Sequence, residues 1–255
     1  MKKLILAAVA SLVMGTAAPA DPIKIGNENG QYPPFSSQDS SGKWVGWEID
    51  LINAICAQAK LECVLTPTSW DGIIPALTSG QIDVIMASMS ITPERQKIID
   101  FSDKYYAAPT MVAVAKDSSI TPDEAGLTGK VIGAQVSTVN EQYVQTHFAA
   151  GAAEVKTYQT EDEAYQDLAA GRLDAVIANA IQLQAFLDSG TGRECCKSAG
   201  LVAPDPEVLG LGVGLGVRKG DPLKQPLNAA IKAIRADGTY DAITKKYFNF
   251  NIYGD

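Results

Sequence analysis

Residues 70–90 read WDGIIPALTSGQIDVIMASMS, and residues 161–181 read EDEAYQDLAAGRLDAVIANAI. The two stretches share a plan. A helical pattern ends near a glycine, Gly80 or Gly171, and an aspartate follows, Asp83 or Asp174. An apolar strand comes next, VIMA or AVIA, and small polar residues lie just beyond its start: Ser88 and Ser90, or Asn179. An earlier pair echoes this, because strand character at residues 23–26 and again at 130–133 leads into NENGQY or AQVSTVN and then into a helical segment. The unit is therefore strand, loop, helix, strand, used twice. Strands separated by helix-length patterns imply parallel α/β sheets, and such sheets bind ligands beyond the carboxyl ends of their strands. Two such units predict two lobes with facing binding loops.

Working outward, EIDLINAICAQAK carries Ile49, Ile52, Ile55 and Cys56 at helical spacing. A bridge from Cys56 to Cys63 would staple the end of that helix to the strand around CVLTPTSW, a structural role. FSDKYYAAPTMVAVAK reads as an extended crossover near residues 103–112, with a return near 206–213 in PEVLGLGV. Two sequential domains split near residue 115 are the alternative, and the repeat alone does not decide between them. The closing LNAAIKAIRADGTYDAITKKYF predicts two short amphipathic helices separated by Gly238.

The chain opens MKKLILAAVASLVMGTAAPADP. A positive start, an apolar stretch and the small-x-small pattern Ala18, Pro19, Ala20 read as a secretory signal peptide cut after Ala20. The apolar stretch is short for a membrane span. The 255 residues carry 21 basic and 29 acidic side chains, a net charge of −8. That balance argues against nucleic acid or an anionic membrane surface as a general partner. Export makes a disulfide chemically permissible. Cys195 and Cys196 could form a strained vicinal disulfide, stay reduced or pair between molecules, and the plain reading of them is a surface loop without a role. One histidine, His147, and the lack of a CxxC pair make a metal site a poor reading.

As a set, IGNENGQYPPFSS, GKWVGWEIDL, the Cys56–Cys63 spacing, SWDGIIPAL, ASMSITPERQKIIDFSDKYY, LAAGRLDAV and DGTYDAITKKYFNFNIYGD resemble the polar amino-acid-binding proteins of bacterial ABC uptake systems. The lysine/arginine/ornithine- and histidine-binding type and its opine-binding relatives are nearest. The resemblance implies an α/β fold of the two-lobed periplasmic binding protein type (type II), with two parallel-core mixed sheets joined by a double crossover hinge. The expected limits are a signal peptide at 1–20, lobe 1 at 21–107 and 211–255, and lobe 2 at 108–210. It also implies a periplasmic monomer without cofactor that delivers a small amino acid or opine to a membrane permease.

The resemblance assigns Arg95 to the ligand α-carboxylate, which a guanidinium fork pairs bidentately. The bland alternative is a solvated arginine beside Glu94. Ser88 and Ser90 match donor positions in the same loop, although MSITPE also reads as a helix start capped by Thr92. Gln135, Ser137 and Thr138 open the second lobe, with Ser137 and Thr138 expected on the ligand backbone from the face opposite Arg95. Tyr32 and Trp70 match aromatic walls, and Trp70 is expected to be exposed at the cleft. Glu28 sits where the family often meets a distal cation. Asn179 stands where relatives commonly use aspartate for the α-ammonium, and Ala87 replaces a serine found in several of them. The basic amino acid reading and the opine reading both follow from this set.

An enzyme needs a nucleophile and base, a metal or a cofactor loop. The chain has no GxSxG, HExxH or GxGxxG, and the resemblance makes a dehydratase-like activity or a receptor-docking role the rivals of a different class. His147 reads as solvated or partly packed.

Overall fold

The computed structural model describes residues 21–107 and 109–254. The signal-peptide segment at 1–20 lies outside the described residues. In chain order the strands are β1 (Ile23–Glu28), β2 (Ser37–Gln38), β3 (Trp44–Val45), β4 (Cys63–Thr68), β5 (Val84–Ile85), β6 (Ile99–Tyr106), β7 (Thr110–Ala115), β8 (Val131–Gln135), β9 (Glu154–Tyr158), β10 (Ala175–Asn179), β11 (Cys196–Leu201) and β12 (Val213–Arg218). The helices are α1 (Trp47–Ala59), α2 (Ile73–Thr78), α3 (Pro93–Ile98), α4 (Glu124–Leu127), α5 (Val139–His147), α6 (Glu161–Ala169), α7 (Ala180–Leu187), α8 (Gly190–Cys195), α9 (Pro206–Leu209), α10 (Lys224–Ala236) and α11 (Thr239–Thr244). Among the described residues no helix is long and apolar enough to cross a membrane.

Two five-stranded mixed sheets form, in the orders β4-β1-β5-β12-β6 and β11-β7-β10-β8-β9. The parallel cores are β4-β1-β5 in one sheet and β9-β8-β10 in the other. The chain leaves the first sheet after β6 and returns to it in β12, which pairs antiparallel with β6. This is the two-lobed periplasmic binding protein architecture, with the double crossover and not two sequential domains. The expected extended crossover at 103–112 is largely ladder: β6 runs to Tyr106 and β7 begins at Thr110, so only residues 107–109 lie between strands. On the return, α9 interrupts the expected extended segment.

The internal repeat has a physical basis in both lobes. Asp83 accepts the Lys24 N–H through Oδ2 at 3.0 Å, and Asp174 accepts the Val131 N–H at 2.8 Å. Each aspartate thus ties the start of the central parallel strand, β1 or β8, to the turn before its neighbour, β5 or β10. Gly80 and Gly171 end the preceding helices in the left-handed region, at φ 78° and 71°, where a glycine carries no Cβ penalty. Gly26 and Gly133 leave room for the side chains of Ile82 and Leu173, respectively. The equivalent strands β1 and β8 therefore end at equivalent points, Glu28 and Gln135.

In lobe 1, α1 buries Trp47, Leu51, Ile52 and Ile55 against Phe35, Tyr105, Tyr106 and Phe248. Trp47 is fully buried and donates its indole N–H to Thr244 Oγ1 at 3.1 Å. Cys56 and Cys63 form a disulfide from the end of α1 to the start of β4. Cys195 and Cys196 also form a disulfide. They are not a plain surface loop: Cys195 ends α8, and Cys196 starts β11 with its side chain in the lobe 2 core. The closing segment gives α10 and α11 on either side of Gly238, and α10 is longer than expected at 13 residues.

Helix α1 enters through Gly46, whose φ is 132° and whose added Cβ would overlap the Phe35 carbonyl. Gly80 is also left-handed but faces open space. Gly80→Ala is expected to cost about 1 kcal/mol and Gly46→Ala more than about 2 kcal/mol, since strain and a backbone clash add there. Urea unfolding midpoints of the two variants check that order.

Candidate functional site

The carboxyl ends of the parallel strands in both sheets face one cleft. Its walls enclose about 430 Å³, counting the part open to solvent, and are lined by Glu28, Tyr32, Trp70, Ala87, Ser88, Ser90, Arg95, Thr110, Gln135, Thr138, Val139, Asn140, Glu161 and Asn179. Ten of the eleven ligand-site residues expected from sequence thus lie on one cavity. Ser137 stands at its edge, where its carbonyl accepts from Arg95 Nη2 at 3.3 Å. Thr110, Val139, Asn140 and Glu161 were not expected.

Arg95 is placed by a short helix start. Thr92 caps α3 by accepting the Arg95 N–H at 3.2 Å, so the helix-start reading and the site reading hold together. The guanidinium donates to Ser90 O at 3.1 Å and lies over the Trp70 ring, 5.4 Å from its centroid. Among the described residues it has no ion-pair partner within salt-bridge distance. Burial lowers its pKa to about 10, against the opposing pull of Glu94, so it remains a cation near neutrality. A desolvated guanidinium without a counterion is a site for an anion. Trp70 is not exposed as expected: it is 9% accessible and packs with Ile73, Ile82 and Met89. Its indole N–H has no hydrogen-bond partner among the described residues.

Two serines at the cleft are held left-handed, Ser88 at φ 53° and Ser137 at φ 61°. Such backbone costs of order 1 kcal/mol or more and persists where neighbours hold it. A carboxylate does this in each case. Glu48 Oε1 accepts the Ser88 N–H at 2.8 Å, and Glu141 Oε2 accepts the Ser137 N–H at 2.6 Å. Glu48 also accepts from the buried Tyr105 hydroxyl. Thr138 caps α5 by accepting the Glu141 N–H and donates its own hydroxyl to Gln135 O.

Three carboxyls in or beside the cleft are nine-tenths buried or more: Glu28, Glu48 and Glu161. Burial raises Glu28 to about 7, opposed by the Gln135 hydrogen bond and reinforced by Glu48 and Asp162. Burial raises Glu48 to about 7, opposed by its bonds from Tyr105 and Ser88. Burial raises Glu161 to about 8, opposed by the Tyr165 hydroxyl and reinforced by Glu28 and Asp162. Asn179, at the end of β10, accepts the Ile181 N–H at 2.9 Å and the Gln182 N–H at 3.5 Å through the same oxygen, and donates to the Tyr106 hydroxyl at 3.3 Å. Its acceptor is therefore occupied by the cap of α7.

Hydrogen bonds span the cleft. Gln135 Nε2 donates to Glu28 Oε1 at 2.6 Å, and Gln142 Nε2 donates to Glu94 Oε2 at 3.1 Å. With the Arg95 bond to Ser137 they join the two lobes across the cavity mouth. His147 is outside this set: it pairs with Asp205 at 2.8 Å and lies tilted against the Tyr143 ring, with centroids 4.3 Å apart. Among the described residues no group of three or more His, Cys, Asp or Glu is placed to hold a metal ion.

The chain matches the model of bacterial extracellular solute-binding proteins, family 3, over residues 23–250. It is 39% identical to the histidine-binding periplasmic protein of Salmonella typhimurium, over the whole of both chains. It is also 39% identical to the lysine/arginine/ornithine-binding periplasmic protein of Escherichia coli, again over the whole of both. An ancestral arginine-binding protein solved with arginine superposes with a TM-score of 0.82 at 36% identity, over 89% of this chain and 98% of that one.

The raised carboxyls make stability pH-dependent. The folded protein holds protons that the unfolded chain releases near 4.5. Their contribution is full below that pH and is lost as pH rises through about 7 to 8. The melting temperature of ligand-free protein is expected to fall by at least a few degrees between about pH 5 and about pH 8.5. Glu48→Gln should flatten that slope, as read by calorimetric melting across the range.

Proposed function

Because this chain belongs to the family 3 bacterial extracellular solute-binding proteins, we propose that it captures a basic amino acid in the periplasm and delivers it to an ABC permease. Arginine, lysine, ornithine and histidine form the ligand class. The observation that carries this reading is the half-buried guanidinium of Arg95, without an ion-pair partner among the described residues, sharing one cavity with the buried acids Glu28 and Glu161. A zwitterion with a cationic side chain brings the complement: a carboxylate for Arg95 and positive charge for the acids.

Arg95 takes the α-carboxylate, with Ser88, Ser90, Ser137 and Thr138 around it. Tyr32 and Trp70 pack on the side-chain stem, and Ala87, Gln135 and Asn179 complete the walls. Lobe 1 comprises residues 21–107 and 211–255, and lobe 2 comprises residues 108–210. Contacts from both lobes to one ligand favour the closed arrangement, since a ligand shifts an equilibrium by its differential affinity for the two states. The protein acts as a monomer and performs no chemistry on its ligand. The relatives compared above are binding proteins, and nothing in them favours an opine.

Calorimetric titration of refolded, ligand-stripped protein against arginine, lysine, ornithine, histidine, octopine and nopaline tests the reading. At least one basic amino acid is expected to bind at least about tenfold more tightly than either opine, roughly 1.4 kcal/mol. Arg95→Ala should weaken that ligand by about a hundredfold or more, because it strands a desolvated carboxylate. Tighter binding of an opine would overturn the assignment of ligand class.

A further inference from the structure

Glu161 was not visible as a site residue in the sequence, yet it lines the cavity and is 5% accessible. It opens α6, whose start is fixed by a capping box between Thr160 and Glu163. One of its oxygens accepts the Tyr165 hydroxyl at 2.7 Å, and Tyr165 is itself fixed by a hydrogen bond to Gln182 and by stacking on Phe186, with centroids 4.6 Å apart. The other oxygen has no hydrogen bond to a described residue. Glu28 is arranged alike from the facing lobe: Oε1 accepts from Gln135, and Oε2 has no hydrogen bond to a described residue. The two acids line one cavity with Tyr32, and they are close enough that Glu28 raises Glu161 and both raise the Tyr32 hydroxyl. Gly30 lies between Glu28 and Thr160, the residue before Glu161: a Cβ there would meet Glu28 Oε1 at 3.5 Å and Thr160 Cγ2 at 3.6 Å.

We propose that Glu161 is a specificity-determining residue that forms, with Glu28 of the other lobe, a two-carboxylate seat for the ligand's distal cation and selects a guanidinium over an ammonium or imidazolium. This rests on the reading of function above. Charge supports it. Arg95, Glu28 and Glu161 together carry one negative charge when ionised, and an arginine ligand carries one positive charge, so the closed site is neutral. Geometry supports it too. A planar guanidinium offers five N–H donors along separate edges and serves two carboxylates at once, whereas an ammonium is a compact point charge and an imidazolium has two donors. Since the acids come from different lobes, the seat is complete only when the lobes close. Burial and mutual repulsion favour the protonated acids in the empty site, so a bound cation expels protons. Asp162, Glu48 and the Tyr32, Tyr106 and Tyr165 hydroxyls are the other titratable groups near this pair.

The test is titration of wild-type protein, Glu161→Gln and Glu161→Asp with arginine, lysine, histidine and citrulline, the last a neutral isostere of arginine that keeps the α-ammonium. Wild type should prefer arginine. Glu161→Gln should weaken arginine about tenfold or more, weaken lysine less and leave citrulline within about twofold. Repeating the arginine titration near pH 7.5 in two buffers of different ionisation enthalpy counts the protons released, and Glu161→Gln should release fewer. Equal weakening of arginine and citrulline, or an arginine-to-lysine ratio unchanged within about twofold, would overturn the seat. Glu161→Asp keeps the charge on a shorter stem. If Glu161→Gln does not fold, an unchanged arginine-to-lysine ratio in Glu161→Asp overturns the proposal equally. If wild type binds no cationic amino acid, the reading of function falls and the seat with it. If wild type binds arginine and the variants match it, only the seat falls.

Discussion

The hydrogen bond from Gln135 Nε2 to Glu28 Oε1 joins the last residues of two equivalent strands in two lobes. Everything else about the cleft follows from bringing those strand ends together. Each lobe alone would present its strand termini to water, where a carboxylate is well solvated and its pKa ordinary. Facing each other, they exclude water from Glu28 and Glu161, which are both buried, and partly from the Arg95 guanidinium. Burying unpaired charge is unfavourable, and burial accordingly raises the two acids toward their protonated forms. A ligand with complementary charge removes the cost instead. Under the proposed function, lobe closure and ligand charge are linked through one desolvation cost.

Much of this was legible in the chain. The repeat at residues 70–90 and 161–181 is visible because the same backbone task recurs: a glycine to end a helix, an aspartate to hold a neighbouring strand and an apolar strand leading to the cleft. Arg95, Ser90 and Thr138 were legible through the resemblance and through helix-start chemistry, which places polar groups at strand-to-helix turns. The short span of β5, only two residues in ladder, was less legible than its apolar run suggested, because pairing there is set by β1 and β12 on either side.

The unseen residues share a reason. Glu161 sits in TEDE, which reads as a solvated helix start with acids in the first turn. Its burial depends on the other lobe, which no local pattern records. Asn140 lies in the first turn of α5, where it accepts the Thr110 hydroxyl at 2.9 Å, and a hydrogen bond across 30 residues leaves no local trace. Trp70 misled in the opposite sense: its position before a helix suggested exposure, whereas it packs with Ile73, Ile82 and Met89 of its own lobe and lies under the Arg95 guanidinium. Periodicity reports the surface an element shows its own lobe, and a cleft residue's second surface belongs to the facing lobe.

Asn179 shows how such a site can shift its negative charge without disturbing the fold. Aspartate and asparagine both cap helices well, and the Asn179 oxygen does so for α7, so the local structure is indifferent to which of the two is present. The electrostatics are not. A neutral residue at the end of β10 leaves the cavity's negative charge on Glu28 and Glu161. On the proposed reading, attraction for cations is then concentrated where those two acids meet, away from Arg95. A ligand's α-ammonium is common to all amino acids and discriminates nothing. Moving charge from that shared group toward the variable end of the ligand converts general attraction into selectivity, at no cost to helix α7.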